Sequence, residues 1–218
     1  LLGLIAASAP GVAATPCAAT RVSVAADNAD DARFACRGVI EAVDFLAERG
    51  FTVRKPVVVE VVESIDVVPG ASVLGIYDPK ADVVKVLARS AFSLGTPGDT
   101  VLGLPIDDSL YTSIFAHEVA HAVIYQNLGG QKLPFAAHEY LAYAVQLATL
   151  SAPNRERVLA RFPGAAFTEL EEVSEIVLGL DPDRFAVKAY QHFRKLDDQD
   201  AVLRRLLADF PAHQKEWY

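Results

Sequence analysis

His117-Glu118-Val119-Ala120-His121 is a run whose residue types and spacing point to metal chemistry. On a helix, positions i and i+4 share a face, so both imidazoles can reach one ion from the same side. Glu118 stands one residue round the helix, where it can take a proton from water. The surroundings favour a helix. Asp107, Asp108 and Ser109 offer N-caps, Leu110, Ile114, His117, His121 and Ile124 fall on one helical face, and Gly129 offers the stop. The competing account is a pair of histidines hydrogen-bonded on a partly buried helix.

Glu139 weighs against that account. Between Leu133 and Asn154 it is the only Asp, Glu, Lys or Arg. An ionised carboxylate in so apolar a helix is costly unless it meets a cation. Glu139 lies eighteen positions after His121, a gap that fits a Gly129-Gly130 loop and a helical return. It is therefore predicted as third ligand, with His138 beside it as the alternative. Two His and one Glu form a ligand set of catalytic zinc that leaves the fourth position to water, so the predicted cofactor is Zn2+.

His117-Glu-x-x-His121 followed by Glu139 on the next helix resembles the gluzincin clan of zinc metallopeptidases, especially its small bacterial members. The resemblance spans about residues 55 to 150 and takes in the run Gly75-Ile-Tyr-Asp-Pro-Lys-Ala-Asp-Val-Val-Lys-Val. In that clan a strand pair precedes the active-site helix and its edge holds substrate backbone. The sequence departs from many relatives at Tyr140, where they place a small residue after the ligand Glu, and at the preceding His138. The resemblance implies a zincin-like fold and hydrolysis of peptide bonds. Zinc would supply Lewis acidity to water and to the scissile carbonyl, and Glu118 would act as general base, passing the water's proton to the leaving amine. It also implies a donor for the oxyanion from beyond the Glu139 helix. The candidates are Tyr190, in Ala189-Tyr190-Gln191-His192, and Tyr143, one turn after Glu139; Tyr190 also reads as a core aromatic, and His213 as a solvated residue.

Positioning these groups requires a scaffold, and the hydrophobic pattern outlines one. Residues 29 to 49 carry Phe34, Val39, Val43 and Leu46 at helical spacing and end at Gly50. Val57–Val62 is short and β-branched and reads as a buried strand; Val73–Tyr77 and Val83–Leu87 flank Asp78-Pro-Lys-Ala-Asp82 as a hairpin. Residues 90 to 107 read as an irregular loop at the rim of a cleft, and helices follow Asp107, broken at Gly129-Gly130, Pro153, Pro163-Gly164 and Pro182. The fold class is α+β: an N-terminal helix and a small, twisted, mostly antiparallel sheet packed on the active-site helix, then a mainly helical C-terminal lobe. We expect a single domain over residues 15–218, with an α/β lobe at 15–107 and a helical lobe at 108–218.

Composition narrows the function classes. The chain has 218 residues, is 52% hydrophobic and carries a net charge of −8, with its twenty Lys and Arg scattered, so it has no electrostatic footprint for nucleic acid. Residues 1–14 are apolar, then small, and fit the end of a secretory signal; the apolar stretch is too short to span a bilayer. Cys17 and Cys36, the only cysteines, read in an exported chain as one disulfide, and otherwise as two buried thiols. The expected protein is secreted or periplasmic and acts on a peptide or protein substrate. A catalytically silent zincin-fold protein serving as an extracytoplasmic binding module is the second reading, which intact Glu118 disfavours. A structural zinc site is the third; it would want a fourth protein ligand that neither cysteine is placed to give.

Overall fold

The structure is a computed structural model that describes residues 13–65, 73–92, 100–130 and 132–196. The apolar leader up to Val12, the middle of the expected rim loop and the C-terminal tail with His213 lie outside the described residues.

Two short strands come first, β1 (Thr15–Pro16) and β2 (Val22–Ala25), followed by helix α1 (Ala29–Ala47). The helix expected to open the fold is thus its third element. Asn28 caps α1 by accepting from the Asp30 N–H at 2.8 Å. Strands β3 (Val57–Val62), β4 (Gly75–Asp78) and β5 (Val83–Leu87) then complete a five-stranded sheet in the order β1-β2-β3-β5-β4.

The expectation of a mostly antiparallel sheet is corrected: β2–β3 and β3–β5 are parallel, and only the outer pairs β1–β2 and β4–β5 are antiparallel. One cause is β2, whose Val-Ser-Val-Ala gives too short a pattern to be noticed; the other is that β3 pairs with β5 while β4 takes the edge beyond it. With β2 present, α1 is the crossover between two strands, and a crossover helix returns the chain parallel. The β4–β5 hairpin is present, with β4 at the sheet edge. Part of the expected rim loop is itself a small hairpin, β6 (Thr100–Val101) with β7 (Leu104–Pro105).

Helices α2 (Asp108–Asn127), α3 (Phe135–Thr149), α4 (Ala152–Arg161), α5 (Glu175–Leu180) and α6 (Pro182–Phe193) follow. Asp107 is the N-cap of α2, accepting from the Leu110 N–H at 2.9 Å. Pro153 and Pro182 each sit in the first turn of a helix, where a missing N–H costs nothing.

Helix α2 is at the centre. Its residues from Leu110 to Ala120 are all buried, because α1, α3, β4 and β5 pack on it from different sides. One apolar face was expected; enclosure of this kind makes a helix apolar nearly all round instead. Gly38 of α1 lets the two backbones come close, since a Cβ there would meet the Thr112 carbonyl oxygen and lie 2.9 Å from Phe115 Cβ. α3 packs on α2, on α6 and on α1.

Two tethers complete the scaffold. Cys17 and Cys36 form a disulfide that fixes the β1–β2 turn to α1. Gln126, near the end of α2, accepts from the Arg54 and Lys55 N–H groups and donates to Asp82 in the β4–β5 turn at 3.0 Å. Among the described residues no helix is long and apolar enough to cross a membrane.

Candidate metal centre

His117 and His121 lie one turn apart on α2, and the loop through Gly129 and Gly130 sends α3 back alongside. Both glycines have positive φ, +61° and +86°, which a glycine adopts without strain. Glu139, one turn into α3, then faces both histidines. Its Oε2 is 3.4 Å from His117 Nε2 and its Oε1 is 3.3 Å from His121 Nε2, and the two Nε2 atoms are 3.1 Å apart. These three residues form a group whose donor atoms could hold a metal ion.

The spacing can be tested against the ion. Zinc–nitrogen and zinc–oxygen bonds of roughly 2.0–2.1 Å at tetrahedral angles put neighbouring donor atoms about 3.3–3.4 Å apart. The nitrogen–nitrogen distance and each nitrogen's distance to its nearer carboxylate oxygen, Oε2 for His117 and Oε1 for His121, lie within a few tenths of an ångström of this, and one donor atom from each residue falls within 4.8 Å of the others, so the residues fit a divalent cation. The site is largely closed: His117 and Glu139 are buried and His121 is half-buried.

The electrostatics of the group agree with its packing. Burial alone would raise the Glu139 carboxyl, but the His121 charge, hydrogen bonds from both histidines and the His117 charge together hold it well below the usual carboxylate range. It is therefore an anion among imidazoles. Glu118 behaves differently. Burial pushes its carboxyl up to about 7, with the His121 charge pulling it down and the Glu139 charge adding to the rise. A carboxyl held near neutrality can both take and give a proton.

Glu118 is held from the sheet side by β4. A Cβ on Gly75 would fall 2.7 Å from Glu118 Oε1 and 2.8 Å from its Cδ, so only a glycine fits against this side chain. The reading of the sequence did not single Gly75 out for this role, although a glycine inside a strand pattern is a signal of close approach.

The other expected groups divide. Tyr143 is beside the centre, its ring 4.6 Å from that of His117, and burial together with the nearby Glu139, Asp183 and Glu118 charges pushes its hydroxyl far up, so it stays a proton donor. Tyr190 lies on α6 as a partly buried neighbour of the hydrophobic core. His138, the alternative ligand, is outside the histidine–glutamate group, with its ring 6.1 Å from that of His121; burial first, and then the His121 charge, push it down to about 3 against the pull of Glu139. Tyr140, the next residue of α3, turns instead towards α6, where its Oη is 2.7 Å from His192 Nδ1. His117 Nδ1 is buried with no hydrogen-bond partner among the described residues, and the ring packs edge-on against Tyr143.

A separate polar cavity of about 540 Å³ lies at the carboxyl ends of the parallel strands, lined by Asp27, Asn28, Asp31, Glu63 and Ser90 among others. It contains none of the residues of the metal centre.

The chain belongs to a family of unknown function, DUF6639, whose model matches residues 22–211, from β2 through the metal centre and α6. No curated protein and no solved structure matches it.

Proposed function

We propose that this protein is a zinc-dependent hydrolase of peptide or related amide bonds, with His117, His121 and Glu139 as ligands and Glu118 as general base. The observation that carries the reading is the convergence of two imidazole nitrogens and one carboxylate, each nitrogen 3.3–3.4 Å from its nearer oxygen and the nitrogens 3.1 Å apart, with a buried carboxyl at about 7 on the residue after His117. Two His and one Glu leave a coordination position open, as catalytic rather than structural zinc sites do. A zinc ion held there would supply Lewis acidity to a water molecule and to the substrate carbonyl.

Glu118 takes the proton of the attacking water on its carboxylate and delivers it to the leaving nitrogen. Its position near neutrality suits both transfers, since the acid and base forms are then both accessible. Gly75 leaves the space in which that carboxylate lies, since a Cβ there would overlap it. Tyr143, protonated and beside His117, is the better placed of the two tyrosines to donate a hydrogen bond to oxyanion charge. The disulfide supports an oxidising compartment, hence a secreted or periplasmic protein.

The test measures bound metal by elemental analysis and cleavage of a peptide library, on wild type, Glu139→Ala, His138→Ala and Glu118→Gln. We expect one zinc per chain in wild type, His138→Ala and Glu118→Gln, and loss of it in Glu139→Ala. Cleavage should fall by about 10²–10⁴-fold in Glu118→Gln. Zinc without cleavage in wild type would favour a binding module, and absence of zinc would return the histidines to a hydrogen-bonded pair.

A further inference from the structure

Strand β4 lies along helix α2 and meets it at two points. Alternate residues of a strand share a side, and residues seven apart on a helix share a face. Gly75 and Tyr77 are the strand residues turned to α2, with Ile76 between them 41% exposed, and Glu118 and Tyr125 are the helix residues they meet. Gly75 abuts the Glu118 carboxyl, and the Tyr77 ring packs edge-on against Tyr125 at 5.9 Å. At the first point the strand has no side chain with which to hold its place, so its distance from Glu118 is set from elsewhere.

The second point is where the strand is fastened. Tyr77 Oη donates to Asp82 Oδ1 at 2.8 Å, and Gln126 Nε2, on the residue after Tyr125, donates to the same oxygen at 3.0 Å. The other end of that amide fixes its orientation, since Gln126 Oε1 accepts from the Arg54 and Lys55 N–H groups at 2.8 and 3.0 Å. Burial first, and then the Asp82 hydrogen bond and charge, push the Tyr77 hydroxyl far up, so it stays a donor. One carboxylate oxygen thus joins the strand, the turn and the end of the helix. Asp82 does so at a φ of +52°, a conformation that costs an aspartate more than a glycine.

We infer that Asp82 is a positioning residue for Glu118: by clamping Tyr77 to the end of α2, it sets the gap between β4 and α2 in which the Glu118 carboxyl lies. Its effect on turnover rests on the hydrolase reading, whereas the gap itself does not. Two substitutions separate the clamp from the backbone. Asp82→Gly removes the carboxylate and relaxes the turn. Asp82→Asn keeps Oδ1 for both donors and gives up the ion pair of Oδ2 with Lys55 at 3.9 Å, a weak one because the lysine side chain is 72% exposed.

The test reads the gap and the chemistry separately, on zinc-loaded protein. By NMR, the Gly75 amide and Cα signals should shift in Asp82→Gly and return to their wild-type positions in Asp82→Asn. Tyr77→Phe removes one of the two bonds and should give a smaller shift of the same sign; it decides the matter if Asp82→Gly does not fold. On a peptide that wild type cleaves, kcat/KM should fall about tenfold in Asp82→Gly with zinc content unchanged, and recover in Asp82→Asn. Added to Glu118→Gln, where the base is already lost, Asp82→Gly should cost no more than about twofold, because residues that act as a unit are not additive. Gly75 signals that stay in place in both Asp82→Gly and Tyr77→Phe would overturn the inference. So would a tenfold loss that is the same with and without Glu118, which would mean that Asp82 acts on the protein by another route. Wild type that binds zinc and cleaves nothing would overturn the hydrolase reading alone, and the Gly75 signals would still decide whether Asp82 sets the gap.

Discussion

One residue past Glu139, Tyr140 ends 2.7 Å from His192 Nδ1, so the helix that carries the proposed third ligand is anchored to α6 by a buried hydrogen bond. Breaking such a bond strands a polar atom, which costs more than the bond contributes net. We expect Tyr140→Phe to destabilise the protein by about 1–2 kcal/mol in urea unfolding, and Tyr140→Phe/His192→Phe to cost less than the sum of the two single changes. A cycle without coupling would mean that the contact does not anchor α3. The contrast between this pair and the metal ligands shows what a sequence can reveal about a site. His117, Glu118 and His121 are legible because their chemistry is local to one helix, and Glu139 because it is a lone charge in an apolar run. His192 is paired with a residue 52 positions away, and nothing near it in sequence signals the partner.

Strand β4 illustrates the same limit at the scale of elements. The hairpin it forms with β5 follows from its β-branched runs and turn residues, but its closeness to α2 depends on how the sheet is ordered. That order rests on β3 pairing with β5 rather than with β4, which the local pattern of neither strand reveals. Two glycines record the resulting close approaches and separate two effects. Gly75→Ala would press a methyl group into Glu118, so we expect metal content to hold while kcat/KM falls at least about tenfold, because small displacements of a reacting group are costly. Gly38→Ala would press instead on the Thr112 carbonyl and Phe115, between α1 and α2 and away from Glu118. Overpacking there should lower stability by about 1–3 kcal/mol. Elemental analysis, steady-state kinetics and urea unfolding on the two variants distinguish the outcomes, and equal kinetic damage in both would argue against a positioning role for Gly75.

At the scale of the molecule, two cross-links brace different halves of one core. The disulfide ties the β1–β2 turn to α1, and an ion held by the proposed ligands would join α2 to α3, with no residue in common. Closing a loop with a sequence separation of 19 contributes about 3 kcal/mol, chiefly by restricting the unfolded chain. For a protein of this size that corresponds to roughly 6–12 °C in Tm. An ion at a free concentration about a hundredfold above its Kd adds about 2.7 kcal/mol, because the unfolded chain does not assemble the site. Cys17→Ser/Cys36→Ser and chelation should therefore each lower Tm, and in combination the two shifts should add, with zinc stoichiometry unchanged in the cysteine variant. The sensitive point is α1, which carries Cys36 and packs on α2 through Gly38. If loss of the disulfide lets α1 shift, Thr112 and Phe115 shift with it, and His117 lies little more than a turn further along the same helix. A combined loss larger than the sum would then appear together with weaker zinc binding in the cysteine variant, and would mean that the disulfide-bonded state is what completes the proposed metal centre.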